Sequence, residues 1–219
     1  MTAENQIHSG TLAPYPSDRE LAHSHLAREM AAEGMVLLKN EGLLPFKEDI
    51  HIALLGAGAA KTVKGGIGSG DVNNRENITI YRGLKESGIF LTSEGWLLDY
   101  NQRYDAAREE WKKKILEDAK QVENPFDAYS ANPFVLPEGR DIQPEDVKGA
   151  EAAVYVVSRI SGEGKDRRRT EGDYYLSRKE QEDILYLNEK NIPIVLILNA
   201  GGPVELTDIL QKAEYIKAI

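Results

Sequence analysis

One charged loop contains a carboxylate whose surroundings suit acid–base chemistry. Glu163 lies between Gly162 and Gly164, in the segment Ser158–Arg167, which begins at the end of the apolar run Ala152–Arg159. Flanking glycines give the backbone conformational freedom and leave the carboxylate free to project. Glycoside hydrolysis needs a carboxylic acid beside the leaving oxygen and a second carboxylate on the other side of the sugar. Residue types alone nevertheless favour a simpler interpretation, a solvated charged turn.

Two further charged residues follow Glu163 on the same loop. Asp166 and Arg167 are candidates to orient this carboxylate or to bind a substrate. Lys165 and the Arg167–Arg169 run are most simply explained as charges that keep the loop soluble. Residue types do not decide between these roles.

A second candidate is the glycine-rich loop, which we define as Lys64–Asp71 and which follows the apolar run His51–Gly56. Four glycines between positions 65 and 70 let a ligand approach the main chain closely. This loop contains Ser69, whose surroundings fail the Gly-x-Ser-x-Gly pattern of a nucleophile elbow because position 67 is isoleucine. The loop therefore favours binding over nucleophilic catalysis.

Nucleotide binding is a weaker alternative for the same region. Gly56 and Gly58 follow a predicted strand, as in a dinucleotide fingerprint, but the third glycine of that pattern is replaced by Lys61. No Gly-Lys-Ser/Thr sequence is present, so a P-loop is excluded. We predict neither a cofactor nor a metal ion.

The elements that position these loops can be predicted from caps and apolar runs. Ser17 with Glu20 and Ser177 with Glu180 are capping boxes that start helices, the first ending near Gly34. Helical spacing also predicts helices over Thr79–Ser87 and from Tyr100 to Val122. Residues 124–146 contain two Asn-Pro-Phe units and are predicted to be irregular. Apolar runs predict strands at His51–Gly56, Ile89–Thr92, Ala152–Arg159, Pro193–Asn199 and Ala213–Ile219.

These elements define the expected fold class. Strands that are apolar on both faces and alternate with helices indicate a parallel sheet covered on both sides. We expect an α/β protein with a doubly wound, mostly parallel sheet and helices on both faces, a three-layer sandwich truncated near its last strands. Residues 1–16 are expected to be an N-terminal arm and residues 17–219 the sandwich domain. Ligands bind such sheets at the carboxyl ends of the strands.

Composition limits the function classes. The 219 residues carry a net charge of −9, which argues against nucleic-acid and anionic-membrane partners. Cysteine is absent, so disulfides, zinc–thiolate sites and thiol nucleophiles are excluded. The sequence has neither a signal peptide at its start nor an apolar run long enough to span a membrane, and we expect a cytoplasmic protein.

Four segments together resemble the α/β sandwich domain of family 3 glycoside hydrolases, the β-glucosidase type. They occur in the same order as in that family and cover most of the chain. The segments are Ala27–Glu29 with Val36–Asn40 and Leu44–Pro45, Lys64–Asp71, Ser158–Arg167, and Leu198–Leu206. Each is weak alone, but their order and spacing make the resemblance specific.

The resemblance implies roles for the candidate residues. Glu163 occupies the position of the catalytic general acid/base, and Ser69 that of a serine contacting the sugar in the glycone site. Lys64 and Asp71 are implied to shape the glycine-rich loop, and Asp166 and Arg167 remain candidates for substrate binding. Asn199–Glu205 is expected to be a structural turn, and Val36–Asn40 a structural start of the sandwich.

The implied reaction is retaining hydrolysis of a terminal β-linked sugar in a β-glycoside or oligosaccharide. Its nucleophilic aspartate belongs to a (β/α)8 barrel domain, which takes about 250 residues and is absent from these 219. We therefore expect the isolated chain to be inactive. The polar start without a barrel remnant and the end within the predicted strand Ala213–Ile219 favour a truncated enzyme with permuted order, sandwich before barrel, whereas a barrel encoded upstream would favour the ordinary order. The exposed barrel-facing surface and an unpaired sheet edge would also favour a homo-oligomer, because bare edges and apolar patches promote contacts.

A different class of function stays open at this point. The domain could be a non-catalytic carbohydrate-binding or scaffolding module that docks a barrel partner, with Glu163 retained by descent. A nucleotide-binding α/β protein is the less favoured alternative. Glucose and NAD are the ligands that would distinguish these possibilities.

Overall fold

The structure, a computed structural model, describes residues 13–66, 75–162 and 166–219. The chain divides into two compact units, Met1–Leu37 and Leu38–Ile219. In the described residues, the helices are α1 (Asp18–Gly34), α2 (Ile80–Glu86), α3 (Glu94–Asp118), α4 (Pro125–Ala131), α5 (Arg178–Glu189) and α6 (Thr207–Lys212). The strands are β1 (His51–Leu55), β2 (Phe90–Leu91), β3 (Ala152–Ser158), β4 (Ile194–Asn199) and β5 (Ile216–Ala218).

The first unit contains α1, which begins as predicted. The Ser17 hydroxyl accepts a hydrogen bond from the Glu20 amide, and the Glu20 carboxylate accepts one from the Ser17 amide. This reciprocal capping satisfies two amides at the helix start. No residue of α1 is buried.

The second unit is built around one parallel sheet. Among the described residues five strands form it, in the order β2-β1-β3-β4-β5, and every pair is parallel. All seven residues of β3 are buried, as a central strand covered on both faces requires. The predicted α/β class is confirmed, and the sheet is all-parallel.

The strand order reverses direction at β1, which creates a crevice at the carboxyl edge of the sheet. The connection from β1 leads outward to β2, whereas all later connections lead the other way, through β3 and β4 to β5. Because parallel crossovers are right-handed, α2 lies on one face and α3, α5 and α6 lie on the other. The loops that follow β1 and β3 flank this reversal, where α/β proteins bind ligands.

The segment 124–146, predicted to be irregular, in part forms a helix. Asn124 caps the start of α4 by accepting a hydrogen bond from the Phe126 amide at 3.1 Å, and Asn132 lies at its C-terminal cap. The two Asn-Pro-Phe units thus lie at the two ends of α4. The prediction was wrong here because prolines signalled a break, although proline is favoured in a first helical turn.

The edge of the sheet at β5 is paired, contrary to the expected unpaired edge. Residues 38–41 run antiparallel to it, with an isolated bridge between Asn40 and Ala218. The Leu38 amide donates to the Ile219 carbonyl at 2.8 Å, and the Ile219 amide donates to the Lys39 carbonyl at 3.0 Å. These bonds satisfy backbone groups that a bare edge leaves open.

The core lies on both faces of the sheet. Trp96 and Tyr100 of α3 stack with ring centroids 5.4 Å apart, and the Trp96 indole donates to the Arg140 carbonyl at 3.0 Å. Both rings are almost fully buried, so α3 is fixed against the sheet near the end of β1. Across 13–66, 75–162 and 166–219, none of the helices has the length and apolar character that membrane crossing requires.

Candidate functional site

Three loops meet at the carboxyl edge of the sheet. They leave β1, β3 and β4, and we call the last two the β3 loop (residues 159–176) and the β4 loop (residues 200–206). An open pocket of about 350 Å³ lies among them. It is lined by residues 63–66 before and within the glycine-rich loop, by Arg159 and Ser161 of the β3 loop, and by residues 198–201.

Glycines allow the three loops to approach one another. A Cβ atom at Gly66 would lie 2.8 Å from the Ser161 carbonyl oxygen, and one at Gly201 would lie 3.4 Å from the Ser161 hydroxyl oxygen. A distance below 3.0 Å is shorter than side chains tolerate, so Gly66 is required by this contact. The glycine-rich loop therefore touches the β3 loop two residues before position 163.

The predicted site residues are only partly within the described chain. Glu163, Ser69 and Asp71 lie outside the described residues. Lys64 and Asp166 are exposed, and Lys64 lines the pocket. The structure thus brings together the main-chain segments that lead to Ser69 and Glu163.

Arg167, the remaining candidate, bonds within the loops. Its guanidinium donates from Nε to the Asp173 carboxylate at 2.6 Å and from Nη2 to the Asp173 carbonyl at 2.6 Å. Its Nη1 donates to the carbonyl of Pro203 in the β4 loop at 2.9 Å. Arg167 therefore does more than keep the β3 loop soluble, because it joins that loop to the β4 loop.

Asp173 is held as a carboxylate by these contacts. Burial works against its charged form, but hydrogen bonds from the Arg168 amide and the Arg167 guanidinium outweigh it and lower the pKa of the Asp173 carboxyl. The charge state that binds Arg167 is thus the favoured one at neutral pH.

Arg159 joins the two ends of the β3 loop. Its Nε donates to the Asp173 carbonyl at 2.7 Å and its Nη2 to the Tyr175 carbonyl at 3.3 Å. Both terminal nitrogens also donate to the Glu180 carboxylate at the start of α5, at 2.7 and 2.8 Å. Only 6% of the Arg159 side chain is exposed, so the hydrogen bonds that hold this loop in place are largely buried.

Asn199 links the end of β4 to the start of the glycine-rich loop. Its side-chain oxygen accepts from the Val63 amide at 2.8 Å and from the Ser158 hydroxyl at 2.9 Å. Its side-chain nitrogen donates to the Val63 carbonyl at 2.9 Å. A single side chain thereby satisfies both backbone groups of Val63.

Sequence reasoning missed Arg159, Asp173 and Glu180 as supporting residues of this site. Glu180 was predicted as half of a capping box, which the structure confirms, but its bond to Arg159 spans 21 positions and has no local signal. The available signal for such supporting residues was a polar residue at the end of an apolar strand, as at Arg159 and Asn199. Such residues lie at the carboxyl edge where ligands bind.

A second pocket, of about 370 Å³, lies on the α5 side of the same edge. Its wall contains Tyr155, Lys179 and Asp183. The Asp183 carboxylate accepts a hydrogen bond from the Tyr155 hydroxyl at 3.0 Å and one from the Lys179 ammonium at 2.6 Å. Burial raises the pKa of the Asp183 carboxyl, although the bond from Lys179 opposes it. Over the part of the chain that the structure describes, no cluster of three His, Asp or Glu side chains forms a candidate metal site.

The fold and the three loops define an α/β domain of the doubly wound class, with its loops gathered at the strand reversal, where proteins of this class bind ligands. Residues 35–219 match the glycosyl hydrolase family 3 C-terminal domain, and the chain belongs to this family. The resemblance of the four sequence segments to family 3 is thereby confirmed.

Similar proteins are β-glucosidases. Beta-glucosidase A of Butyrivibrio fibrisolvens is 30% identical in an alignment 210 residues long that covers 84% of this chain and 23% of that protein. Among solved structures, beta-glucosidase 3B from Thermotoga neapolitana in complex with alpha-D-glucose is 32% identical, with a TM-score of 0.69 over 93% of this chain and 27% of that one. The chain spans about a quarter of the length of these relatives.

Proposed function

We propose that this chain is the acid/base-bearing domain of a retaining β-glycosidase that hydrolyses terminal β-linked sugars. The observation that carries the proposal is the contact of Gly66 with the Ser161 carbonyl. It brings the glycine-rich loop and the β3 loop together at the carboxyl edge, so a sugar bound by the first would lie near the carboxylate of the second. The similarity to β-glucosidases supports the choice of substrate class.

In the proposed mechanism Glu163 acts twice. As a carboxylic acid it donates a proton to the leaving oxygen while an aspartate attacks the anomeric carbon and breaks the glycosidic bond. As a carboxylate it then takes a proton from the water that hydrolyses the glycosyl-enzyme intermediate. A desolvated site with a second carboxylate nearby would supply the raised pKa that the first step requires.

The nucleophilic aspartate is proposed to lie on a (β/α)8 barrel domain of a longer polypeptide. The relatives are about four times as long as the matched segment, which leaves room for such a domain. We propose the order sandwich before barrel for this protein. The isolated chain would then hold only half of the active site.

The other candidate residues complete the sugar site. Ser69 is proposed to contact the glycone, with Lys64 and Asp71 shaping the glycine-rich loop around it. Asp166 is proposed to bind substrate from the exposed side of the β3 loop. For Arg167, the bonds to Asp173 and Pro203 support a role in orienting the loop beside the substrate.

The experiment compares Glu163→Gln with the wild type in the longer enzyme, using aryl β-glucosides with good and poor leaving groups. Loss of a general acid typically costs about 10²–10⁴-fold, and it should cost most for poor leaving groups, which need protonation. Glu189→Gln, at the end of α5 and far from the carboxyl edge, is the matched control and should leave the rates unchanged. Equal rates for Glu163→Gln and wild type would refute the assignment.

The isolated 219-residue chain tests the division of the active site. It should release no aryl alcohol above the buffer rate, because the nucleophile is proposed to lie on the barrel domain. Steady release that Glu163→Gln abolishes would show that this chain is a complete enzyme. Glucose binding by the longer protein without any hydrolysis would indicate a carbohydrate-binding module instead.

A further inference from the structure

We propose that Asn199 is a positioning residue for the glycone side of the site. Its side chain sets the place where the glycine-rich loop begins relative to the strand that leads to Glu163. The inference rests on the proposed function, since it assigns a consequence for sugar binding to a contact within the domain. It adds a residue from the β4 end to a site predicted from two other loops.

The contact is long-range and uses both polar groups of the side chain. Asn199 and Val63 are 136 positions apart, yet two hydrogen bonds of 2.8 and 2.9 Å join the Asn199 amide to the Val63 amide and carbonyl. The third bond, 2.9 Å from the Ser158 hydroxyl, ties the same side chain to the last residue of β3. Ser158 and Asn199 are also register partners in the sheet. Asn199 therefore fixes Val63 to two strands at once.

The chemistry of this contact requires an amide. Val63 presents one donor and one acceptor, and only a side chain with both an oxygen and an NH₂ group can pair with both. Aspartate has nearly the same shape but offers two acceptor oxygens, so one of them would face the Val63 carbonyl. Serine is too short to span the two backbone groups. Asn199→Asp is thus a change in bonding with little change in volume.

A shift of Val63 would be transmitted to the contact between the loops. Val63 lies three residues before Gly66, which touches the Ser161 carbonyl, and six residues before Ser69. The space between Gly66 and the β3 loop is too small for a side chain, because a methyl group at Gly66 would lie 2.8 Å from the Ser161 carbonyl oxygen. The contact from Asn199 therefore governs where the glycone-binding part of the loop starts.

The first test uses this chain and needs no catalysis. In the wild type, the Val63 amide is hydrogen-bonded and should be protected from hydrogen exchange. In Asn199→Asp, the repelled Val63 carbonyl should move this residue away, and its exchange should accelerate about tenfold, equivalent to about 1.4 kcal/mol. Unchanged exchange at Val63 would overturn the proposal.

The second test measures sugar binding in the longer enzyme. Asn199→Asp should raise the inhibition constant for glucose about tenfold, whereas the ratio of rates on good and poor leaving groups should stay at the wild-type value. A raised inhibition constant with an unchanged ratio of rates would indicate a misplaced glycine-rich loop and an intact general acid at Glu163. A purely structural role would lower the melting temperature and the active fraction without changing the inhibition constant.

Asn188→Asp is the matched control. Asn188 also bonds to a backbone amide through its side chain, accepting from Tyr215 at 3.0 Å, but it lies at the amino end of the sheet. It introduces the same charge and should leave the inhibition constant for glucose unchanged. An equal rise in both variants would attribute the effect to charge and overturn the role of Asn199.

A second variant keeps the test decisive where Asn199→Asp does not fold. Ser158→Ala removes only the third bond to the Asn199 oxygen and should give a smaller rise in the inhibition constant together with faster Val63 exchange. No change in either quantity would overturn the proposal. A wild-type longer enzyme that neither binds glucose nor hydrolyses glucosides would overturn the proposed function itself, and this inference with it.

Discussion

The guanidinium of Arg159 and the carboxylate of Glu180 form a bidentate ion pair, with parallel hydrogen bonds of 2.7 and 2.8 Å. The side chains are 6% and 13% exposed, so the pair is largely removed from water. Glu180 also accepts a hydrogen bond from the Ser177 amide at 2.8 Å. One carboxylate therefore caps α5 and holds the residue that closes the β3 loop.

Glu180→Gln is predicted to destabilise the protein strongly. Breaking a buried ion pair leaves an unpaired charge and costs about 3–5 kcal/mol. The measurement is the free energy of unfolding by urea. Glu182→Gln is the control, since Glu182 pairs with Arg178 on the exposed side of the same helix. There the loss should be about 0.3–0.5 kcal/mol, and equal losses in the two variants would contradict the prediction.

Asp173 is predicted to make stability depend on pH in acid. Its pKa in the folded protein is lowered, mainly by the Arg168 amide and the Arg167 guanidinium acting against burial. The stabilisation is therefore complete above the ordinary carboxyl pKa, about 3.9, and is lost as the pH falls through the lowered value. Unfolding free energies of wild type and Asp173→Asn should differ at neutral pH and converge in strong acid.

A control separates this behaviour from general acid denaturation. Asp127→Asn replaces an exposed aspartate of α4 and should follow the wild-type pH curve. A constant difference between wild type and Asp173→Asn at all pH values would show that Asp173 acts through packing and that its charge is unimportant.

Gly66→Ala is predicted to impair the proposed enzyme more than its stability. The added methyl group would come within 2.8 Å of the Ser161 carbonyl, so one loop must move. In the longer enzyme we expect kcat/KM for aryl β-glucosides to fall about tenfold, equivalent to about 1.4 kcal/mol. Gly83→Ala in α2 meets nothing within 4 Å and should keep wild-type kinetics while gaining up to about 1 kcal/mol in stability.

The predictable parts of this fold are those with local signals. The capping boxes at Ser17 and Ser177 depend on contacts three residues apart, and both form as expected. The apolar runs that become β1, β3 and β4 are long enough to indicate buried strands of a parallel sheet. The placement of the loops after these strands at the carboxyl edge follows from the parallel sheet, whereas the strand order is known only from the structure.

The supporting contacts of the site were beyond sequence reasoning because their partners are distant. The sequence around Val63 carries no signal that the Asn199 side chain binds it, and the sequence around Arg167 carries none for the carbonyl of Pro203. A run of basic residues is as typical of a solvated loop as of a loop held by ion pairs, and only the position of Asp173 beside Arg167 distinguishes the two. Geometry across loops decides such cases, whereas residue type and spacing do not.

The antiparallel pairing of residues 38–41 with β5 joins segments that are far apart in sequence, because the Leu38 amide donates to the Ile219 carbonyl within the second unit. Contacts between residues so distant along the chain must overcome the entropy of closing the intervening loop before they contribute stability. We therefore expect this edge of the sheet to acquire its pairing late in folding.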